Sequence, residues 1–197
     1  MVFRGDDELI ASTCDGESEA FGELVLRYQD YVYNAVVHLV GAGQDAEDIA
    51  QDVFLKAFRN LQGFRRQARF STWLYGIMLN SVRTYWRRNK RSADNLSLDE
   101  RNKDGNPVLD PAFPGGGLLD MSVRAETADL VRRIIGELSE DLREVIVLRD
   151  IEGLSYEELS VVLDVPLGTV KSRLSRARSS LKDKIAPRLG ADLISAE

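Results

Sequence analysis

The chain has almost none of two residue types from which sites are commonly built: one cysteine, Cys14, and one histidine, His38. No disulfide can close within it, and no Cys/His zinc site can be assembled. A catalytic thiol needs a base beside it, and a lone histidine on a mostly apolar helix reads as a packed residue, so no catalytic residue is expected and the chain does not read as an enzyme. A glycine-rich nucleotide cradle is missing too. Gly115, Gly116 and Gly117 stand among Asp110, Pro111 and Pro114, which reads as a flexible joint. Neither a metal nor a cofactor is expected. No apolar run approaches the roughly 18 residues that cross a bilayer, and the N-terminus Met1 to Glu8 has no signal-peptide character, which predicts a cytosolic protein without membrane insertion.

Acid is absent where it would be least expected. The chain carries a formal net charge of −6, yet residues 61–91 contain eight Lys and Arg and no Asp or Glu. Residues 1–60 hold twelve acids against four cations, residues 92–165 seventeen against seven, and residues 166–197 three against seven. Two cationic islands separated by a long acidic interval look like two footprints on a polyanion.

Alternating strand patterns are also lacking, so the predicted fold is all-α. Glu17 to Val40 places Phe21, Leu24, Tyr28, Val32, Ala35, Val36 and Leu39 at helical intervals, closed by Gly41 and Gly43. A second helix is predicted from about Asp45 to Leu61, with Ile49, Val53, Phe54, Ala57 and Leu61 inward. Ser71 is placed to cap a third, running to about Arg91. Residues 92–122 carry Asp, Asn, Ser, Pro and Gly without a period and read as a linker, which divides the chain into small helical domains at 1–91 and 123–197. About 30 extended residues reach on the order of 100 Å, so the linker does not fix how the halves sit. Beyond it, helices are expected at 123–138, 140–152, 155–164 and 168–185.

The last two of these read as a helix-turn-helix. Ser155 and Glu158 form a capping-box pattern, and Pro166 and Gly168 leave only a tight turn. At about 100° per residue, Val170, Leu174, Ala177 and Leu181 fall within roughly a 60° arc that faces the core. Lys171, Ser172, Ser175, Arg176 and Ser179 lie opposite, a set suited to base edges in the major groove, while Arg173, Arg178 and Lys182 flank them as phosphate clamps. A solvated cationic helix face is the plainer alternative.

On the helix after Ser71, Trp73, Leu74, Ile77, Met78 and Tyr85 read as packed, and Gly76, Asn80, Arg83, Arg87 and Lys90 line the other side with Leu79 and Trp86 at its edge. Cations and an amide beside aromatics suit a single strand whose phosphates are tracked while its bases stack. Arg65, Arg66, Arg69 and Phe70 extend that face as a loop. Trp86 and Tyr75 fit stacking or packing equally, and a helix that grips only duplex backbone remains open.

Three ordered motifs resemble a known family: Asp45 to Phe54, Phe64 through Phe70-Ser71-Thr72-Trp73-Leu74-Tyr75 to Arg87-Arg88, and Gly168 to Arg178. The chain is similar over residues 6–91 and 123–187 to bacterial RNA polymerase sigma factors of the extracytoplasmic function class. The resemblance implies a protein that joins the RNA polymerase core, carries it to promoter DNA and helps open the duplex. By position, Asp45, Asp48, Gln51 and Asp52 would dock on a coiled coil of the largest polymerase subunit. Phe64, Arg65, Phe70, Asn80, Arg83, Trp86, Arg87 and Lys90 would meet the single-stranded minus-ten element, with a base turned out of the stack. Lys171, Ser172, Ser175 and Arg176, flanked by Arg173 and Arg178, would read the minus-thirty-five element as duplex. Arg65-Arg66-Gln67-Ala68-Arg69 is more cationic than the loop common in this class, and no segment corresponds to the middle domain of housekeeping sigma factors. Control by a separate anti-sigma factor follows from the same resemblance. The competing reading is a stand-alone helix-turn-helix regulator whose first 91 residues bind an effector or a second copy. A recombinase-like enzyme would need a nucleophile or a metal-binding carboxylate cluster beside a cationic island, and residues 61–91 contain no acid.

Overall fold

The computed structural model describes residues 4–96 and 130–194, all helix and short connection with no strand among them. Most of the expected linker therefore lies outside the described residues. The first half comprises α1 (Asp6–Cys14), α2 (Ser18–Val40), α3 (Gln44–Asn60), a single tight turn at Leu61–Gly63 and α4 (Phe70–Leu96). The second comprises α5, described over 130–136, then α6 (Glu140–Ile146), α7 (Tyr156–Leu163) and α8 (Leu167–Ile194).

The apolar period of each long helix becomes its buried stripe. Phe21, Leu24, Val32, Ala35, Val36 and Leu39 of α2 pack with Ile49, Val53 and Ala57 of α3 and Leu74, Met78, Leu79 and Val82 of α4. Each fully buried Leu or Met contributes about 1.5–3 kcal/mol. Gly41 (φ +92) and Gly43 (φ +132) make the sharp connection from α2 to α3, in backbone that L side chains rarely adopt. α1 is an element the sequence pattern did not reveal, because only Leu9 and Ile10 of its nine residues are buried. Its first turn is held by Asp6, which accepts from Arg27 and from the Tyr28 hydroxyl.

Several boundaries differ from expectation. α4 starts at Phe70, and the Arg69 carbonyl accepts its first-turn bond from the Trp73 amide, so Ser71 lies inside the helix and does not cap it. α4 also continues five residues past Arg91. The expected helix 140–152 is α-helical only to Ile146 and then widens into a π-turn over Val147–Ile151, closed by the Glu152 amide on the Val147 carbonyl at 3.0 Å. α8 runs on to Ile194, through Pro187, past the expected end at 185.

In the second half the capping box is formed as expected. The Glu158 amide donates to Ser155 Oγ at 3.1 Å and the Ser155 amide to Glu158 Oε2 at 2.8 Å. Asp164 closes α7 in the left-handed conformation (φ 56), which an Asp tolerates better than most residues. Val170, Leu174 and Ala177 bury the inner side of α8. The two halves touch directly: α4 packs on α7, and α2 on the π-turn that follows α6.

Candidate nucleic-acid interface

The loop before α4 is built on an aromatic cluster. Phe70 lies against Tyr28, Phe64 and Trp73 with ring centroids 5.4, 5.9 and 5.6 Å apart. This leaves Phe70 only 3% exposed, so it departs from its expected place at DNA: its ring anchors the loop from below. Phe64 is half-buried at the surface of the cluster, 5.1 Å from Trp73. Arg65, Arg66, Gln67 and Arg69 are exposed, and Arg66 sits at φ 55 with Nη2 donating to the Asp7 carbonyl at 3.4 Å. Beside the loop opens a cleft of about 410 Å³, lined by Phe64, Arg65, Gln67, Trp73, Asn80 and, across from them, Val161 of α7. That volume falls within the range of small-molecule pockets. An aromatic wall with amides at its rim can hold a flat ring and hydrogen-bond to its edge.

Along α4, Asn80, Arg87 and Lys90 are exposed. Arg83 is not free. Its Nε and Nη2 donate to Glu144 Oε1 and Oε2, both at 2.7 Å, and Glu144 is 2% exposed. Hydrogen bonding to that carboxylate holds the Arg83 guanidinium above its ordinary pKa, against the opposing effect of burial. A cleft of about 510 Å³ separates Asn80, Arg83, Thr84 and Arg87 from Glu140, Asp141 and Glu144 of α6. Trp86, expected at the edge of the DNA face, is 8% exposed. The Arg143 guanidinium lies 5.4 Å over its ring. Arg143 also donates to the Leu39 carbonyl at 2.8 Å and to the carbonyls of Gly136 and Leu138, so one side chain joins the end of α2, α4 and the end of α5. Burial lowers its pKa.

Tyr75, left between stacking and packing by its position in the sequence, is packed. Its hydroxyl donates to Glu152 Oε2 at 2.6 Å, and burial, reinforced by that carboxylate, raises its pKa strongly. Burial likewise raises the Glu152 carboxyl, with the Tyr75 hydrogen bond opposing. The Thr72 hydroxyl donates to Glu158 Oε1 at 3.1 Å. The Ser155 amide, in first place, holds Glu158 below the usual carboxylate range.

On α8, Lys171, Ser172, Ser175 and Arg176 point to solvent, opposite the buried stripe. Of the three residues expected to clamp phosphates, Lys182 is exposed, while Arg173 and Arg178 meet acids of their own half. Arg173 Nη2 stands 2.7 Å from Asp141 Oδ2. Arg178 makes a two-point contact with Asp150 at 3.0 and 2.6 Å, which raises its pKa.

The acidic helix α3 divides its residues in a way the sequence pattern left unresolved. Asp45 accepts from the Tyr85 hydroxyl at 2.9 Å, and Asp52 accepts from Ser81 Oγ at 3.0 Å and pairs with Lys56 at 2.6 Å. Both tie α3 to α4. Asp48 and Gln51 lie on the solvent side, and the same stripe continues through Leu55 and Phe58, which are 55% and 47% exposed. Gln44, Asp48, Gln51, Leu55 and Phe58 follow one another at spacings of four and three and fall within roughly an 80° arc. Spacings of four and three are those of a helix face that packs along another helix. Leu55 and Phe58 were legible by that spacing. Glu144 and Arg143 were not, since nothing in their neighbourhood names a partner in the other half.

Among the described residues no group of three or more His, Cys, Asp and Glu side chains could hold a metal ion, and no helix is long and apolar enough to cross a membrane.

These surfaces coincide with matches to known proteins. The Sigma-70 region 2 family matches residues 24–92, and the Sigma-70, region 4 family matches residues 128–181. The ECF RNA polymerase sigma-E factor of Escherichia coli K12 is 37% identical over 186 residues, which cover 92% of this chain and 95% of that protein. Two solved structures share the fold with a TM-score of 0.65 each. One is CnrH in complex with the cytosolic domain of CnrY, at 28% identity over 91% of this chain and 96% of that one. The other is the sigma factor RpoE in complex with the anti-sigma factor NepR from Bartonella quintana, at 25% identity over 84% and 96%. Because the first half matches a sigma domain in its own right, the reading of it as an effector domain of a stand-alone regulator falls away. With both halves matched in order, and over nearly the whole length of a curated relative, the chain belongs to the extracytoplasmic function class of RNA polymerase sigma factors, which bind core polymerase and direct it to promoter DNA.

Proposed function

We propose that the three exposed surfaces divide the work of initiation among them. Residues 1–91 act as the domain that binds core polymerase and the opened minus-ten element, and residues 123–197 as the domain that reads the minus-thirty-five element. The stripe of Asp48 and Gln51, supported by Asp45 and Asp52 and continued by Leu55 and Phe58, receives a polymerase helix. Acids at one end and apolar side chains at the other suit a partner that is itself basic and amphipathic.

Phe64, Arg65 and Asn80 hold a turned-out base in the cleft beside Trp73, and Arg83, Arg87 and Lys90 follow the strand's phosphates. Phe70 supports this site from beneath. Parting DNA costs about 1.4 kcal/mol per base-pair step on average, and a site that binds only the separated strand supplies part of that energy. Lys171, Ser172, Ser175 and Arg176 enter the major groove, and Arg173 and Arg178 stand beside them to meet phosphate when their acid partners release them. The observation that carries the assignment is the outward face of α8, cationic and hydroxyl-bearing directly opposite a buried apolar stripe. We further propose that the protein works in the cytoplasm without catalysing a reaction itself, and that a separate anti-sigma protein restrains it. The similar structure of RpoE, a sigma factor held by the anti-sigma factor NepR, supports the last point.

Run-off transcription tests the reading. Core polymerase with this chain should start from a promoter that core alone ignores, and the absence of any start site on host genomic templates would overturn it.

A further inference from the structure

One cation of the α4 face, Arg83, is covered by acid from the same chain, while Arg87 and Lys90 stay exposed. Glu144 is the only charged residue among those less than 9% exposed in the described residues, and both of its oxygens are spent on Arg83. Glu140 and Asp141 stand on the same helix across the cleft from Asn80, Thr84 and Arg87. A carboxylate pair on a guanidinium offers the same two-point geometry as a phosphate. One residue before Glu144, Arg143 covers Trp86, and Val161 of α7 lines the separate cleft beside Phe64 and Asn80. α6 also reaches the other reading head, since Asp141 holds Arg173 of α8.

We infer that α6 is a built-in substitute for the nucleic acid strand, and that the free chain is closed upon itself, with Glu144 on Arg83 as the latch. This rests on the reading of α4 as the strand-binding helix. In the closed chain a single strand must displace Glu144 before its phosphate can reach Arg83, and the π-turn and α7 must withdraw with it. Three further contacts hold the same interface: Tyr75 to Glu152, Thr72 to Glu158 and Arg143 to the Leu39 carbonyl. A ligand can open such a state only through its preference for the open one, so polymerase, by engaging the halves separately, is the agent that shifts the balance.

The test compares the full chain with Glu144→Gln, which keeps the shape of the side chain and removes its charge. The probe is a fluorescein-labelled single strand of 15 thymidine nucleotides, whose phosphates suffice to compete with Glu144, and binding is read by anisotropy without polymerase. Glu144→Gln should bind at least about tenfold more tightly, and small-angle scattering should show an expanded particle. Tyr75→Phe, which leaves the charge beside Arg83 untouched and strands Glu152, should shift both readings the same way by a smaller factor. Unchanged affinity in both variants overturns the inference. So does a gain of affinity in Glu144→Gln without expansion in either variant, because that result assigns the effect to a lost local charge. If run-off initiation by the unaltered chain succeeds while these results are negative, the closure alone is wrong. If run-off fails as well, the assignment of α4 is wrong with it.

Discussion

At the scale of single residues, His38 and Ser155 show how position sets a side chain's energetic role. His38 is half-buried near the end of α2, with Nδ1 buried and without a hydrogen-bond partner, and burial, aided by the positive charge of Arg132, lowers its pKa. Because the folded value lies below the unfolded one of about 6.5, the fold holds the neutral ring. Its contribution is full above that unfolded value and is lost as pH falls through the lowered folded value. Urea denaturation should therefore show a falling midpoint on acidification below about pH 6.5, and His38→Gln should flatten that slope while leaving the midpoint at pH 8 nearly unchanged. Ser155 closes the capping box of α7, and Ser155→Ala should destabilise the protein by about 1 kcal/mol, measured by the same denaturation at pH 7.5. The capping box was plain in the sequence, since both partners lie within one helical turn. The role of Arg143 was hidden, because the Leu39 carbonyl and the Trp86 ring that it meets belong to helices distant in the chain.

Taken as elements, α3 and α8 are the most legible parts of the molecule. Their periods separate a buried stripe from an outward face, and the structure keeps Val170, Leu174 and Ala177 in and Lys171 and Arg176 out. Lys171→Ala or Arg176→Ala should weaken competition for promoter DNA by about 1–3 kcal/mol at each position and leave polymerase association intact. Asp48→Arg and Leu55→Glu should do the reverse, weakening co-elution with core polymerase while direct binding of the minus-thirty-five duplex survives. Equal loss of both activities in all four variants would show the faces to be wrongly assigned. α4 was read less well. Its spacing sets a cationic side opposite the packed one and leaves Trp86 between stacking and packing, because a single helix pattern cannot reveal that a second domain packs on the flank opposite the first core. α1 went unseen for the converse reason: two apolar residues make too short a pattern to stand out.

For the whole molecule, the closed arrangement makes Trp86 a natural reporter. It is one of two tryptophans, and the other, Trp73, sits in the aromatic cluster under the loop. In a Trp73→Phe background the remaining indole should emit at short wavelength in the free chain and shift to the red when core polymerase is added, as the Arg143 side chain withdraws and water reaches the ring. An emission maximum that does not move on formation of the complex would mean that the halves stay packed when polymerase binds. Sequence alone determined the helical class, the division into two halves, the two faces of α8 and the family, because all of these are written in local spacing, capping and charge. Only tertiary structure decided that Arg83 meets Glu144, 61 residues away, and that Phe70 supports the site from within. The physical reason is that periodicity tells a helix which of its sides must be covered, whereas the identity of the covering group depends on how separate elements settle against one another.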